Sequence, residues 1–240
     1  MIRKLRLPRQ FRRWLRFAVA IAGLTSVLLG AALAPSSAEI LAGIETENGR
    51  RHDLLKAYSG SRQYTLENLR FGKQAAVVVR TNYRQVEGES YTILTRSGSV
   101  KLNGIIDRVI ASETDIRSAQ GTARHEITAR NYRVMLLGTE MVAGRNCYVL
   151  DLAPRVKDRY LIIGKAWVDA GSYGVVRIEG QFAASSSLLI GAPSISEEFV
   201  EVRGFWLPSR VRSVTSSFLL GPTELEILFS NYEIDRGGSF

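Results

Sequence analysis

Most of this chain alternates apolar and polar side chains with a period of two, which is the pattern of half-buried β-strands. About ten such runs lie between glycine- and proline-bearing turn signals. They cover residues 63–71, 75–85, 90–95, 132–137, 147–152, the two runs of 160–182, 199–206, 211–219 and 224–232. Because the connections are short, they exclude parallel crossovers and predict antiparallel pairing.

Two segments depart from this alternation and predict helices. The first covers Glu39 to Tyr58, where Gly43 and Gly49 weaken the helical spacing and could divide the helix in two. The second is strongly amphipathic and is predicted to end near Ser118, with Ser97 or Ser99 available as its N-cap. Its apolar positions follow the i, i+3, i+4, i+7, i+8 pattern: Leu102, Ile105, Ile106, Val109 and Ile110.

These elements predict a mainly antiparallel β fold with helices, in the α+β class. So many strands in one open sheet tend to curl, so we expect a curved, incomplete β-barrel of about ten strands. The amphipathic helix around residues 102–110 is predicted to lie across its concave face. One or two short helices cannot cover the apolar face of ten strands. The remainder is either side-chain core or an apolar cavity, and the sequence leaves both open.

The register of one hairpin can be predicted from its pattern. Residues 160–182 carry two alternating runs around the turn 171–174. Their apolar faces coincide only if the two residue numbers of each cross-strand pair add up to an even number. A three-residue turn centred on Ser172 pairs Trp167 with Arg177, Lys165 with Glu179 and Ile162 with Phe182. A five-residue turn, which would pair Asp169 with Arg177, remains an alternative.

The amino-terminal segment predicts export. Residues 1–38 contain seven basic and no acidic residues, an apolar run from Phe17 to Ala34 and a small-x-small site ending at Ala38. We expect a cleaved signal peptide at 1–38 and one domain at 39–240, an uncleaved anchor being the alternative. The pair Arg12-Arg13 permits the twin-arginine route, but the general secretory route fits better because no cofactor motif follows.

Removing those seven positive charges from the formal net charge of +9 leaves +2 for residues 39–240. The basic excess therefore belongs to the amino-terminal segment and does not indicate nucleic-acid binding. The only cysteine is Cys147, so the chain has no lipid-acceptor cysteine at the cleavage site and no internal disulfide. Since Cys147 begins an apolar strand, we expect a buried, inert thiol.

The residues that usually carry catalysis or metal binding are sparse. His52 and His125 lie far apart in sequence, and we interpret both as surface residues rather than ligands of a metal ion. The carboxylate pairs Glu197-Glu198 and Glu224/Glu226 are interpreted as solvated charge on exposed strand faces. With no nucleophile elbow and no phosphate-binding glycine motif, the sequence predicts no enzyme, no cofactor and no metal. An exported hydrolase would need one of the histidines beside a carboxylate and a nucleophile in a cleft.

The order of elements, together with Trp167-Val168-Asp169, a turn and 176–179 (Val-Arg-Ile-Glu), resembles the LolA/LolB-like periplasmic carriers of outer-membrane lipoproteins. The resemblance implies an incomplete antiparallel barrel with helices plugging an apolar cavity that binds a lipoprotein's acyl chains or another lipid. It also implies an alternative role, a sensing domain that regulates envelope-stress signalling by binding a protein. Lacking a lipid-acceptor cysteine, this chain is closer to the soluble carriers of that group.

From this resemblance and the strand faces we predict a periplasmic monomer that binds a lipid or an acylated lipoprotein, with an inner- or outer-membrane protein as a further partner. The predicted cavity lining consists of apolar residues on the second helix and on the inward strand faces. They are Ile105, Ile106, Val109, Leu150, Ile162, Ala166, Val168, Val176, Ile178, Phe182, Val202, Trp206, Leu225, Ile227 and Phe229.

Overall fold

The computed structural model describes residues 34–116, 125–184, 193–217 and 221–235. The predicted signal sequence up to residue 33 lies outside these ranges, as do the predicted helix end at 117–118 and the strand end at 218–219. Every described helix and strand belongs to one compact unit, Pro35–Phe240. In the described ranges, no helix is both long and apolar enough to cross a membrane.

Two α-helices and ten strands follow one another in the described part of the chain. In chain order they are α1 (Ser37–Leu54), β1 (Ala57–Asn68), β2 (Lys73–Arg84), β3 (Gly88–Gly98), α2 (Val100–Ile116), β4 (Tyr132–Val142), β5 (Arg145–Pro154), β6 (Ile162–Asp169), β7 (Val175–Phe182), β8 (Ser194–Val202), β9 (Phe205–Ser217) and β10 (Gly221–Asp235).

All ten strands form one antiparallel sheet in the order β3-β2-β1-β10-β9-β8-β7-β6-β5-β4. The predicted antiparallel, incomplete barrel is thereby confirmed. Strands that are neighbours in sequence pair with each other, except that β3 and β4 lie at opposite edges. The sheet is made continuous by the pairing of β1 with β10. The chain must therefore cross from one edge of the sheet to the other between β3 and β4. Helix α2 begins that crossing, which explains why it lies over the concave face.

The two helices cover opposite flanks of that face. Helix α2 packs its buried side chains Leu102, Ile106 and Ile110 against β1 and β2. Helix α1 packs Ile40, Leu41 and Ile44 into a second cluster with residues of β4, β5 and β6. The inward face of the 160–182 hairpin at Ala166 and Val168 is thus covered by α1 rather than by α2.

The first helix differs from its prediction at both ends. It starts at Ser37 with a capping box in which Ser36 and Glu39 satisfy each other's backbone N–H groups. It runs unbroken through Gly43 and Gly49 and ends at Leu54, so Tyr58 belongs to β1. The predicted helix was too long because Leu55 and Tyr58 also fit helical spacing, whereas their burial comes from the strand they enter.

Cleavage at the predicted site would remove part of this helix start. Ala38 lies in the first turn of α1, after the N-cap Ser36. The Ser37 hydroxyl also accepts a hydrogen bond of 2.8 Å from the backbone N–H of Leu136 on the edge strand β4. A chain beginning at Glu39 would therefore lose both the cap and this contact.

The hairpin register is confirmed. Ile162 pairs with Phe182, Lys165 with Glu179, and Trp167 with Arg177, whose guanidinium carbon lies 4.0 Å from the tryptophan ring centre. Beyond Trp167 a β-bulge pairs Val168 with Val175 instead of continuing the register. Val175 therefore shares the inward face with Val168, and Val176 lies on the opposite face with Trp167.

One predicted strand, 199–206, is wrong, because it spans two strands. The chain turns at Arg203-Gly204, both with positive φ (51° and 84°), as two-residue hairpin turns require. Val202 is the last residue of β8 and pairs with Phe205 at the start of β9. Val202 and Trp206 therefore do not continue one strand face, as the alternation had suggested.

Candidate functional site

A cavity of about 640 Å³ lies over the centre of the concave face, between the clusters that α1 and α2 form with the sheet. Strands β7 to β10 form its floor, and Ile227 and Phe229 of β10 also pack against the cluster under α2. Its volume lies within the range usual for small-molecule sites. The apolar floor consists of Val175, Ile178, Phe182, Ile195, Phe199, Trp206, Leu207, Val211, Leu225, Ile227 and Phe229.

The floor is apolar because successive strands present their alternate residues to it. Leu225, Ile227 and Phe229 follow one another at every second position of β10. Ile227 and Phe229 are buried, whereas Leu225 remains half-buried towards the cavity. A half-buried leucine on a concave face leaves apolar surface that a hydrophobic ligand could cover.

Eight of the residues predicted from the sequence line this cavity. They are Val109, Ile162, Ile178, Phe182, Trp206, Leu225, Ile227 and Phe229. The structure brings them together from α2, β6, β7, β9 and β10. Whether they contact a ligand remains a prediction.

The other seven predicted residues are packed elsewhere. Leu150, Ala166 and Val168 lie wholly buried in the cluster under α1, because that helix covers their strands. Ile105 and Ile106 pack between α2 and the sheet. Val202 packs against a cluster that contains Phe205, and Val176 lies with Trp167 because the bulge turned it away from the cavity.

Trp206 closes one end of the cavity against the β6–β7 turn. Its indole N–H donates to the Ser172 hydroxyl at 3.2 Å, and a β-carbon placed on Gly174 would overlap its ring. The turn itself is built on Asp169, whose Oδ1 accepts from the backbone N–H and the hydroxyl of Ser172 at 2.7 and 2.8 Å. Burial alone would raise the pKa of Asp169, but the hydrogen bonds from Ser172 and the charge of Arg145 together hold it below its usual value.

A charged network lies beside the cavity, where α2 meets β1. The Arg62 guanidinium, only 4% exposed, donates to Glu113 of α2 at 3.0 Å and also pairs with Glu89. The Tyr64 hydroxyl donates to the same Glu113 carboxylate at 2.8 Å. Because Glu113 lines the cavity, this network joins the cavity wall to the sheet.

Polar residues rim the cavity on the side of α1. Arg51 of α1 forms an ion pair of 3.1 Å with Glu126, and both line the opening. His52 and His125, interpreted from the sequence as surface residues, both lie on the lining, His52 exposed and His125 half-buried. Among the described residues, no group of three or more histidine, cysteine or acidic side chains is arranged to hold a metal ion.

Glu197 corrects one sequence interpretation. It lies on β8 between the cavity-lining Ile195 and Phe199, on the inward face, and not on an exposed face.

The neighbouring Tyr132 hydroxyl accepts a hydrogen bond of 3.0 Å from the backbone N–H of Ile162. Burial raises the pKa of Tyr132 to about 12, with a smaller contribution from the negative charge of Glu197.

Several lining residues were absent from the sequence prediction. Tyr58, Tyr83, Tyr173 and Phe199 all reach the cavity. Phe199 lies on the same strand face as Ile195, but the predicted strand begins at Phe199 and so omits Ile195. Tyr173 reaches the cavity through a backbone with φ of 57°, which alternation cannot predict.

An open antiparallel sheet with helices on both flanks of its concave face and an apolar cavity between them defines a half-barrel of the LolA-like class. The chain belongs to the MucB/RseB N-terminal domain family, whose model matches residues 36–179. The resemblance to LolA-like proteins predicted from the sequence is confirmed, and the family is now specified. None of the curated proteins matches this chain.

The chain is also similar to solved structures at low identity. A DUF1329 family protein from Desulfovibrio piger is 14% identical, with 83% of this chain and 95% of that chain covered and a TM-score of 0.47. A domain from Vibrio parahaemolyticus assigned to outer membrane lipoprotein sorting is 12% identical, with 84% and 95% covered and a TM-score of 0.45. MucB in the Pseudomonas aeruginosa MucA/MucB complex is 11% identical, with 83% and 95% covered and a TM-score of 0.26.

Proposed function

We propose that this domain is exported to the periplasm and binds a hydrophobic ligand, such as the acyl chains of a lipoprotein or another lipid, in the cavity over β7 to β10. The observation that carries this proposal is the apolar cavity of about 640 Å³ that the two helices leave on the concave face. Each methylene transferred from water into such a site contributes about 0.8 kcal/mol. A single acyl chain of moderate length would then bind mainly through apolar contacts.

The arrangement of lining residues supports an elongated, apolar ligand. Apolar side chains from four adjacent strands form most of the floor, with Glu197 of β8 among them. Arg51, Glu126 and Arg159 also line the cavity. Ligand sites of this kind use a few polar groups for orientation and apolar area for affinity. No catalytic step is part of the proposal.

Mass spectrometry of organic extracts from the purified unit Pro35–Phe240 tests the proposal, followed by titration of the delipidated protein with a fluorescent fatty acid. Ser213→Phe should fill the cavity and weaken binding, since Ser213 lines it and its replacement removes no packing. Ile178→Asp should act in the same direction. Ile163→Asp is the matched control, because Ile163 is exposed and lies outside the lining.

Two results would contradict the proposal. One is a wild-type protein that emerges without lipid and fails to bind any acyl probe. The other is binding that Ser213→Phe leaves unchanged while circular dichroism confirms that the variant is folded.

A second function is favoured by membership of the MucB/RseB N-terminal domain family. In that function, the domain is a sensing module of the cell envelope that binds a protein partner, and the cavity reports a lipid signal to it. Fluorescence anisotropy with the periplasmic segment of MucA, the partner in the Pseudomonas aeruginosa complex, measures this directly. A flat isotherm together with successful lipid extraction would favour the carrier function.

A further inference from the structure

The turn between β1 and β2 exposes two large apolar side chains. Leu69 is 51% exposed and Phe71 is 54% exposed, on a turn whose other residues are Arg70 and Gly72. The turn is held in place from below by Asn68, which is 4% exposed. Its side-chain oxygen accepts from the backbone N–H of Phe71 at 3.0 Å, and its amide nitrogen donates to Thr223 at 3.0 Å. Leu69 and Phe71 are thus presented by an ordered turn.

A third exposed apolar residue lies beside this turn. The backbone N–H of Ser99 donates to the carbonyl of Gln74 at 2.9 Å, which places the start of α2 next to the start of β2. Val100, the first residue of α2, is 85% exposed. Helix α2 buries its other face, so Val100 contributes nothing to the apolar cluster between α2 and the sheet.

Positive charge predominates around these residues. Arg70, Lys73 and Lys101 are exposed, and neither 68–74 nor 98–102 contains an acidic residue. Next to the turn, the exposed Glu67 of β1 pairs across the sheet with Glu224 of β10, which forms an ion pair with Arg212. The β5–β6 connection lies at the same end of the antiparallel sheet and repeats the combination, with Val156 exposed between two exposed basic residues. Basic residues beside exposed apolar ones are the combination that binds anionic membrane surfaces.

We propose that these residues form a basic apolar tip, consisting of Leu69, Arg70, Phe71, Lys73, Val100 and Lys101, which docks on an anionic lipid bilayer surface. The apolar side chains enter the headgroup layer while the basic residues contact the lipid phosphates. A protein partner is less favoured, because a stable protein interface needs about 800 Å² of complementary surface on each side. A protruding turn offers less than that, whereas a bilayer accepts it without matching its shape.

Co-sedimentation with vesicles tests the tip. The unit Pro35–Phe240, which carries every described helix and strand, should pellet with phosphatidylglycerol-containing vesicles and much less with pure phosphatidylcholine vesicles. Leu69→Ser combined with Phe71→Ser should weaken the partition coefficient about tenfold or more, because burial of both side chains is lost. Arg70→Glu combined with Lys73→Glu should do the same, as should raising the salt to roughly 0.5 M.

The matched controls lie at the other end of the sheet. Val86 is 97% exposed in the β2–β3 turn beside Glu87, so Val86→Ser removes an exposed apolar residue from acidic surroundings. Arg84→Glu reverses an exposed charge there. Both should leave vesicle binding unchanged.

The docking proposal for the tip and the lipid-binding proposal for the cavity can be refuted independently of each other. Ser213→Phe, which fills the cavity, should retain vesicle binding even if the lipid-binding proposal is wrong. The docking proposal is overturned if the wild-type protein stays in the supernatant with every vesicle composition. It is equally overturned if Val86→Ser weakens binding as much as the double serine variant, or if Ser213→Phe abolishes it.

Discussion

The Arg62 guanidinium on β1 and the Glu113 carboxylate on α2 form an ion pair of 3.0 Å beside the cavity, in surroundings where Arg62 is almost wholly buried. A second ion pair, Arg96 with Asp107 at 2.6 Å, also joins α2 to the sheet, but it is exposed to solvent. Buried and exposed ion pairs on one helix therefore allow a direct comparison of what each contributes.

Glu113→Gln should lower the free energy of unfolding by about 1–3 kcal/mol, because it leaves a buried guanidinium with one charged partner fewer. Asp107→Asn should cost less than about 1 kcal/mol, as exposed ion pairs do. Urea denaturation of both variants measures the difference. Equal costs would mean that Arg62 and Glu113 do not hold α2 in place.

Two glycines of α1 should respond in opposite directions to substitution by alanine. A β-carbon on Gly43 would overlap the ring of Tyr173, whereas one on Gly49 meets no atom within 4 Å. Gly43→Ala should therefore destabilise the domain by about 1–3 kcal/mol through overpacking. Gly49→Ala should stabilise it by about 0.5–1 kcal/mol, because alanine favours the helix interior. Thermal melts of the two variants should shift in opposite directions, and a common shift would contradict this packing.

Asp169→Asn should destabilise the domain at neutral pH and have little effect in acid. The pKa of Asp169 is lowered in the folded state, so its carboxylate stabilises the fold above its unfolded pKa of about 3.9. That contribution is lost as the pH falls through the lowered folded value. We expect a cost of about 1–3 kcal/mol at pH 7 that shrinks towards zero near pH 2. Denaturant titrations across that range measure it, and Glu87→Gln, in an exposed pair with Arg84, is the control.

Tyr132→Phe should cost about 1 kcal/mol, because the backbone N–H of Ile162 loses its acceptor in a buried position. The same variant should remove one tyrosine that ionises near pH 12 from the ultraviolet titration, since burial raises that pKa. A variant that instead loses a tyrosine ionising near pH 10 would place Tyr132 in contact with solvent.

The parts of the fold that alternation and short turns determine could be predicted from the sequence. The pairs Ile162–Phe182 and Trp167–Arg177 were predicted from parity together with a three-residue turn, and the five-residue turn that parity also allowed is not the one observed. The β-bulge after Trp167 could not be predicted in this way. It adjoins a turn that Asp169 organises through hydrogen bonds, and such bonds leave no mark on hydrophobic periodicity. Val176 was assigned to the wrong face for this reason.

The candidate site was predicted correctly where an inward strand face borders the cavity, as the half-buried Leu225 does. The prediction was wrong where a helix covers the strand face instead. Leu150 and Ala166 lie on alternating inward positions as Leu225 does, but α1 covers them. The sequence placed α2 over the sheet and gave no position for α1, so it could not separate covered from uncovered strands.

The pairing of β1 with β10 has a consequence for how the chain reaches its folded state. Ala57 pairs with Asp235, so the first strand of the sheet cannot be flanked on both sides until the final strand has been synthesised. Contacts this distant in sequence slow folding. In a chain emerging from a ribosome or a translocation channel, the edge of β1 that pairs with β10 therefore stays unpaired until β10 has emerged. Removal of β10 would leave unpaired strand edges on β1 and on β9, and the truncated protein should aggregate.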